Sequence, residues 1–339
     1  MKSLSWVLVL VGSVLVTGSP IEKRDIEGRA TTVTAAQLSL FDFYAQWAGS
    51  AYCNSDASPG TKVTCSDDVC PDVEADGPTI VGTLHNNTAT NIEGFVAVDS
   101  VKEQIVLSFR GSDSIRNWIA NFIFAQVACD IVAGCLVHAG FWTAWNEVKA
   151  DVVTLVSAAT AANPSYSLVI TGHSLGGAVG TIAAASLRAA GYACDLYTYG
   201  SPRVGNAEFV NFVIAQSGGE YRVTHADDPV PRLPPILLNY RHTSPEYWVK
   251  TESTDNVSTA DVQVCEGTAN VQCNAGTLGL DIDAHRSYFT NISACGSDVT
   301  QFRRRDGEIS DEELEERLNM FARLDVGYAA ALAEASATA

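Results

Sequence analysis

The stretch from Ser167 to Ala190 constrains the fold more than any other part of this sequence. It begins with the apolar run Leu168-Val169-Ile170, which is typical of a strand buried on both faces of a parallel sheet. Gly172-His-Ser174-Leu-Gly176 follows and fits the pattern G-x-S-x-G. Side chains two residues either side of the serine would collide on so sharp a turn, which explains both glycines. The pattern predicts a nucleophile elbow with Ser174 at its tip.

The residues after Ser174 predict a helix that packs closely on the sheet. Small residues recur at Gly177, Ala178, Gly180 and 183–185. The first turn of such a helix directs free N–H groups and a positive partial charge toward the serine, where an oxyanion would be stabilised. A chance G-x-S-x-G in a loop is the alternative, and the strand and helix on either side argue against it.

The first 24 residues predict a removable leader. Lys2, the apolar run 6–16 and the small residues ending at Gly18 are typical of a signal peptide over 1–18, and Lys23-Arg24 would end a pro-segment over 19–24. The apolar run is too short to span a bilayer, and no later run is long enough, so we expect a secreted protein with no transmembrane segment. An uncleaved anchor is the alternative.

Nine cysteines in a secreted chain predict four disulfides and one remaining thiol. Close spacing suggests three small loops, and a fourth pair brackets the body; the pairs are Cys65–Cys70, Cys129–Cys135, Cys265–Cys273 and Cys53–Cys295. Cys194 would then be a buried free thiol. Sequons at Asn86, Asn256 and Asn291 fit secretion.

The charge balance excludes some partners. The chain has a formal net charge of −18, and residues 1–24 carry a net +2, so the mature chain is near −20. Long-range repulsion argues against nucleic acid or an anionic membrane as partner. Contact with lipid therefore has to come from local apolar surface.

Strands alternate with helices through the middle of the chain. Strands are predicted over 94–98, 104–109, 193–199 and 220–225, with helices over 35–50, 142–161 and 207–216 and a loop over 54–78. Leu40, Phe43, Tyr44 and Trp47 form the predicted core stripe of the first helix. The alternation predicts one α/β domain with a mostly parallel sheet flanked by helices.

The loop after strand 104–109 is the expected position of an oxyanion donor. In a hydrolase with this elbow, one donor is the N–H of Leu175, directly after the serine, and the second lies in this loop, at Ser112. Two such donors are often the largest catalytic contribution. A plain polar turn is the alternative interpretation of Arg110-Gly-Ser112.

A short amphipathic helix follows, with Ile115, Trp118, Ile119 and Phe122 at helical spacing. The stripe is typical of a core-facing helix, but its place directly after the oxyanion loop favours a lid over Ser174. Burying a few hundred Å² of apolar surface at about 25 cal/mol per Å² would hold such a lid shut in water and favour opening at an oil surface.

A nucleophilic serine needs a histidine base held by a carboxylate. In this fold the order is serine, acid, histidine. His242 and His285 both lie downstream of the candidate acids, and the position of His285 near the end of the body favours it. Asp227 and Asp228 both follow a predicted strand, and the residues alone do not separate them.

Five motifs resemble the secreted fungal class 3 lipases, most of all the Thermomyces-type triacylglycerol lipases. They are Ile105–Ser112, Thr171–Gly177, Tyr199–Asn206, Asp228–Pro235 and Ser244–Trp248, within a resemblance that covers about Gln37 to Cys295. The resemblance implies an α/β-hydrolase fold without metal or cofactor. It assigns the triad to Ser174, Asp228 and His285, the oxyanion donors to Ser112 and Leu175, and the lid to 115–121 around Trp118. It also implies the pairs Cys53–Cys295 and Cys65–Cys70.

The resemblance implies a monomeric lipase that cleaves triacylglycerols at a lipid–water interface through an acyl-enzyme. A feruloyl or other soluble-ester esterase on the same fold is the nearer alternative, and a catalytically silent lipid- or wall-binding protein is one of another class. The chain departs from the family pattern at Asp227, where asparagine is common, and in the Cys129–Cys135 and Cys265–Cys273 loops.

The tail over 296–339 is additional to the lipase domain expected over 25–295. A capping box at Ser310–Glu313 and the apolar residues Leu314, Leu318 and Phe321 predict an acidic amphipathic helix. Arg303-Arg304-Arg305 is a candidate processing site. From the sequence, the tail is expected to be a solvated appendage.

Overall fold

The computed structural model describes residues 32–84, 89–112, 115–120, 122–296 and 309–337. The predicted leader and the sequon at Asn86 lie outside these ranges. The helices are α1 (Ala35–Asn54), α2 (Pro71–Asp76), α3 (Ile115–Ala120), α4 (Ala139–Ala162), α5 (Leu175–Ala189), α6 (Ala207–Ala215), α7 (Ile282–Arg286) and α8 (Asp311–Ala337). The strands are β1 (Thr79–Thr83), β2 (Gly94–Asp99), β3 (Gln104–Phe109), β4 (Gln126–Ala128), β5 (Leu136–His138), β6 (Ser167–His173), β7 (Cys194–Tyr199), β8 (Glu220–His225), β9 (Glu246–Val249), β10 (Val262–Cys265), β11 (Ser287–Tyr288) and β12 (Thr290–Asn291).

Eight strands form one sheet in the order β1-β2-β3-β6-β7-β8-β9-β10. The five strands from β3 to β9 in that order pair in parallel, whereas β1, β2 and β10 add antiparallel edges. The predicted mostly parallel sheet is confirmed. Because β6 and β8 are parallel, the residues that follow them lie at the same edge of the sheet.

The sheet separates two apolar cores, as the alternation of side chains along β6 shows. Leu168 and Ile170 pack with α4 and α5 on one face, while Val169 packs with residues of α1 on the other. Successive strand residues point to opposite faces. A strand covered by helices on both faces is therefore apolar throughout, which is the pattern that the sequence shows before the elbow.

The predicted core stripe of α1 is confirmed at Tyr44 and Trp47 and wrong at Leu40. Leu40 is 42% exposed and Phe41 is fully buried. The buried face runs through Phe41, Tyr44, Ala45 and Ala48, because alanine at two of these positions lets the helix lie close to the sheet. The apolar side chain of Leu40 lies just outside that contact.

The loop expected over 54–78 contains α2, and β1 follows it at the sheet edge. The helix had a local signal, since Pro71 is its first residue and Gly77 ends it with φ 61°. With six residues, this helix is too short for its apolar periodicity to be recognised in the sequence.

The structure contains all four predicted disulfides, Cys53–Cys295, Cys65–Cys70, Cys129–Cys135 and Cys265–Cys273. Cys194 is free and buried, and burial raises the pKa of its thiol to about 11. A thiol with so high a pKa is unreactive at neutral pH. Within the described residues, no helix is long and apolar enough to cross a membrane.

Candidate active site

Ser174 lies on a strained turn between β6 and α5. Its backbone has φ 56° and ψ −126°, a conformation that a residue with a side chain rarely adopts. A Cβ on Gly172 would lie 2.5 Å from the carbonyl carbon of Gly176, and one on Gly176 would lie 2.3 Å from the carbonyl oxygen of Phe109. Both glycines are therefore required by close backbone contacts. Ser174 itself is only 1% exposed.

His285 and Asp228 form a fully buried pair. Asp228 lies three residues beyond the end of β8, and His285 lies on the short helix α7. The ring Nδ1 of His285 is 2.8 Å from Oδ2 and 2.9 Å from Oδ1 of Asp228, and both side chains are 0% exposed. Among the described residues, the buried Nε2 of His285 has no hydrogen-bond partner. That nitrogen is free to receive a proton.

The histidine–aspartate pair lies against the elbow. Nε2 of His173, the residue before Ser174, donates to the backbone carbonyl of His285 over 2.8 Å. A Cβ on Gly200, after β7, would lie 2.9 Å from both Nδ1 of His285 and Oδ2 of Asp228. The ends of β6, β7 and β8 thus bring all three predicted triad residues to one buried site.

His242 and Asp227, the alternative base and acid that the sequence left open, make other contacts. His242 is buried, and its Nε2 donates to the carbonyl of Pro231 over 2.7 Å. Asp227 is partly exposed, and burial, with Asp281 adding to it, raises the pKa of its carboxyl. The geometry pairs Asp228, rather than Asp227, with His285.

Tyr288 lies behind Asp228, and no sequence motif singles it out. Its hydroxyl donates to Oδ2 of Asp228 over 2.6 Å, while the backbone N–H of Val230 donates to Oδ1 over 2.8 Å. Burial, and then the adjacent carboxylate of Asp228, raise the pKa of Tyr288 well above its usual value. A tyrosine that stays protonated is a permanent donor, so it fixes the orientation of Asp228. Its only sequence signal was proximity to His285.

His173 is held as a neutral ring. Burial, and then the neighbouring His285, lower its pKa well below the usual value. Because its Nε2 donates to the carbonyl of His285, its Nδ1 accepts from the hydroxyl of Tyr52, 2.7 Å away. This chain of hydrogen bonds ties α1 to the elbow and to the backbone of the predicted base.

Both predicted oxyanion segments lie beside Ser174. Leu175 is the first residue of α5. A Cβ on Gly111 would lie 2.9 Å from the carbonyl oxygen of His173 and 3.1 Å from Cβ of Ser174. The loop that carries Ser112 therefore runs directly against the elbow, and only glycine fits at the point of closest approach.

The predicted lid helix is packed inward. Ile115, Ile119 and Phe122 are at most 7% exposed, and Trp118 is partly buried in the same core. The rings of Trp118 and Phe122 lie 4.0 Å apart, and Phe122 lies 5.8 Å from Phe141 of α4. In this position the stripe of α3 packs as part of the core. Within the described residues, no group of three or more histidine, cysteine or acidic side chains is arranged to hold a metal ion.

A mostly parallel sheet with a serine on a strand–helix elbow and a histidine–aspartate pair at the same edge defines an α/β hydrolase. Comparisons with known proteins extend this assignment. Residues 106–238 match the family model "Lipase (class 3)". The chain is 52% identical over 303 residues to the secreted mono- and diacylglycerol lipase 1 of Fusarium solani, covering 89% of this chain and 90% of that protein.

A lipase of Rhizomucor miehei is 34% identical over 286 residues, which cover 82% of this chain and 76% of that protein. The crystal structure of a mono- and diacylglycerol lipase from Aspergillus oryzae is similar with a TM-score of 0.73 at 40% identity, covering 78% of this chain and 99% of that one. This chain belongs to the secreted fungal class 3 lipases. It is a secreted lipase, a carboxylic ester hydrolase with disulfides.

Replacing Tyr288 by phenylalanine is expected to lower kcat about tenfold, because Asp228 loses a hydrogen bond from a neutral donor and orients His285 less well. KM should change little, since Tyr288 is buried behind the aspartate. The matched control is Tyr44→Phe, which removes a buried hydroxyl that donates to Gln104 over 2.7 Å. Equal kcat values for the two variants would contradict the role given to Tyr288.

Stability should fall in mild acid because three buried histidines are held neutral. Burial lowers the pKa of His138 to about 4 and lowers those of His173 and His242 well below the usual value. Unfolded histidines take up protons below about pH 6.5, so unfolding gains up to three protons between pH 6.5 and 5. The free energy of unfolding from urea titrations is expected to fall by up to about 4 kcal/mol per pH unit. The slope of this free energy against pH should be about a third smaller in His242→Gln. A free energy of unfolding that does not change between pH 6.5 and 5 would contradict the burial of these histidines in neutral form.

Proposed function

We propose that Ser174 is the nucleophile of this lipase, with His285 as base and Asp228 as the carboxylate that orients it. The observation that carries the proposal is the buried His285–Asp228 pair beside a serine held at φ 56°. Nε2 of His285 takes the hydroxyl proton as Oγ attacks the ester carbonyl, and the imidazolium is stabilised by Asp228. The tetrahedral oxyanion accepts hydrogen bonds from the N–H groups of Leu175 and Ser112.

Collapse of this intermediate releases the alcohol, which takes the proton from His285, and leaves the acyl group on Ser174. Water then repeats the sequence: His285 accepts its proton, hydroxide adds to the acyl carbon, and the fatty acid leaves as Ser174 regains its proton. Ser174 is 1% exposed, so entry of an ester requires a covering segment to move, and we propose that this segment is α3. We assign the lid role to Ile115, Trp118, Ile119 and Phe122.

The proposed substrates are glyceride esters presented at a lipid–water interface. The relatives from Fusarium solani and Penicillium cyclopium are named mono- and diacylglycerol lipases, which favours partial glycerides. The triacylglycerols expected from the sequence resemblance remain the alternative within the same reaction. The apolar stripe of α3 supports an oil surface, rather than water, as the medium in which the lid opens.

The boundaries proposed for the mature enzyme follow the sequence. A signal peptide over 1–18 and a pro-segment over 19–24 would be removed, leaving the lipase domain over 25–295 and the extension after it. Secretion of such a chain accounts for its disulfides.

The triad assignment is tested by two matched pairs of substitutions. Asp228→Asn is expected to lower kcat on a short-chain ester about 10⁴-fold, because the imidazole loses the carboxylate that sets its tautomer. Asp227→Asn, one residue away, should keep kcat within about threefold. Likewise His285→Ala should abolish turnover and His242→Gln should not. If Asp227→Asn and Asp228→Asn lose the same activity, the assignment of the acid is wrong.

The substrate class is tested by following rates across a solubility limit. Hydrolysis of tributyrin is expected to rise steeply once the ester forms droplets, because the oil surface stabilises the open lid. Mono- and diolein should be cleaved at least as fast as triolein. A soluble feruloyl ester turned over faster than any emulsified glyceride would identify the esterase alternative, and faster cleavage of triolein would favour a triacylglycerol lipase.

A further inference from the structure

The C-terminal helix α8 packs on the protein instead of forming the solvated appendage expected from the sequence. Its predicted apolar residues Leu314 and Leu318 are buried, and Ala322 and Asp325 continue the same face. Leu314 and Leu318 belong to the same core as Ile115, Ile119 and Phe122. The apolar face of α8 is therefore continuous with the packing of the lid.

One part of α8 contacts the lid helix directly. The guanidinium of Arg116 on α3 donates through Nε to the carboxylate of Asp311 over 2.7 Å and through a terminal nitrogen to the carbonyl of Ile309 over 2.8 Å. Arg317 lies 3.4 Å from the carbonyl of Ala120 at the end of α3. An outward rotation of α3 would have to break these contacts.

The rest of α8 is anchored to the body of the enzyme. Asp325 forms an ion pair of 2.8 Å with Arg203, and both side chains are at most 2% exposed. The same nitrogen of Arg203 donates to the carbonyls of Arg232 and Pro234, so the arginine is fixed independently of the helix. Separating such a pair leaves a buried charge without its counter-ion, which is strongly destabilising.

A third contact lies on the side of the predicted base. Oδ1 of Asn319 accepts from the backbone N–H of Gly279 over 2.7 Å, on the segment that leads to α7 and His285. α8 thus spans from the lid on one side to the histidine loop on the other, with Phe321 against Phe124 between them at a ring separation of 5.5 Å.

Many of the exposed large apolar side chains lie on α8 or beside it. Twelve large apolar side chains are exposed among the described residues, and eight of them lie on α8 or on segments next to its contacts: Ile123, Leu237, Leu238, Leu278, Met320, Leu324, Val326 and Leu332. A concentration of this kind marks a face that meets an apolar partner. Since the net charge is −18, contact with lipid depends on such a face.

We propose that α8 is an intramolecular latch that holds the lid closed over Ser174 and forms part of the lipid-docking face. This inference rests on the proposed function, because it assigns regulation to the same site.

The two ends of the latch differ in strength. At the anchor both Arg203 and Asp325 are buried, whereas in the pair at the lid end Arg116 is buried and the side chain of Asp311 is 68% exposed. Water therefore competes for the carboxylate of Asp311, which weakens this pair. The lid end therefore releases first, when a lipid surface competes for the apolar side chains.

The test compares two doubly substituted full-length proteins of equal charge. The latch variant is Asp311→Asn/Arg317→Ala, which removes the charged side-chain contacts from α8 to α3 and keeps the apolar ones. The control is Glu316→Gln/Arg323→Ala, two exposed positions on the same helix. The rate of hydrolysis of a short-chain ester is measured below its solubility limit, where no oil surface helps the lid to open. Hydrogen exchange of the α3 amides is measured in parallel.

The latch variant is expected to hydrolyse the dissolved ester about fivefold faster than the unsubstituted chain, the size expected from losing two charged contacts made by exposed side chains of α8. Its α3 amides should exchange faster by the same factor, and the control should match the unsubstituted chain in both measurements. Equal or slower hydrolysis and exchange in the latch variant would overturn the proposal. If no form hydrolyses any ester while α3 exchange still differs, the latch stands and the proposed lipase chemistry fails.

Discussion

The backbone of Ser174 is held in a left-handed conformation, and the rest of the site depends on that constraint. A serine at φ 56° is unfavourable in an isolated chain and persists only where its surroundings determine it. Here they do: Gly172 and Gly176 allow the backbone to fold onto itself, Gly111 admits the neighbouring loop, and the amide of Ser174 donates to the carbonyl of Tyr199 over 2.9 Å. The sheet thus places the serine where β6, β7 and β8 end together.

Around this turn the protein builds a buried polar network instead of an open cleft. Asp228 receives hydrogen bonds from Tyr288 and from the amide of Val230 as well as facing His285. His173 links Tyr52 of α1 to the backbone of His285. Polar groups this deeply buried are costly unless each one is paired. The network therefore fixes the positions of Asp228 and His285, and among the described residues Nε2 of His285 keeps no hydrogen-bond partner.

The features that sequence reasoning predicted are those with local causes. The elbow follows from steric limits within five residues, and the parallel sheet follows from the alternation of strands and helices. The choice between Asp227 and Asp228 could not be made from the residues alone, because it depends on where α7 returns to the sheet, nearly 60 residues later. The family motifs did assign Asp228 and His285, and the geometry pairs the same two.

Other features were missed because they arise from packing between distant segments. Leu40 is exposed, whereas Phe41 is buried, since the alanines of α1 determine which face approaches the sheet. Tyr288 has no motif of its own. The tail was recognised as an amphipathic helix, but its apolar face packs in the core that contains Ile115 and Ile119 of α3, more than 190 residues earlier in the chain. Amphipathicity shows that a face must be covered, not what covers it.

The most direct measurement of the central claim is the covalent reaction of the full-length protein with a reporter-tagged fluorophosphonate, followed by digestion and mass spectrometry. We expect one adduct, on the hydroxyl of Ser174, formed at a rate that falls sharply in His285→Ala and hardly changes in His242→Gln. An adduct on another residue, or a lipase that remains active on emulsions without reacting, would show that the strained serine is not the nucleophile.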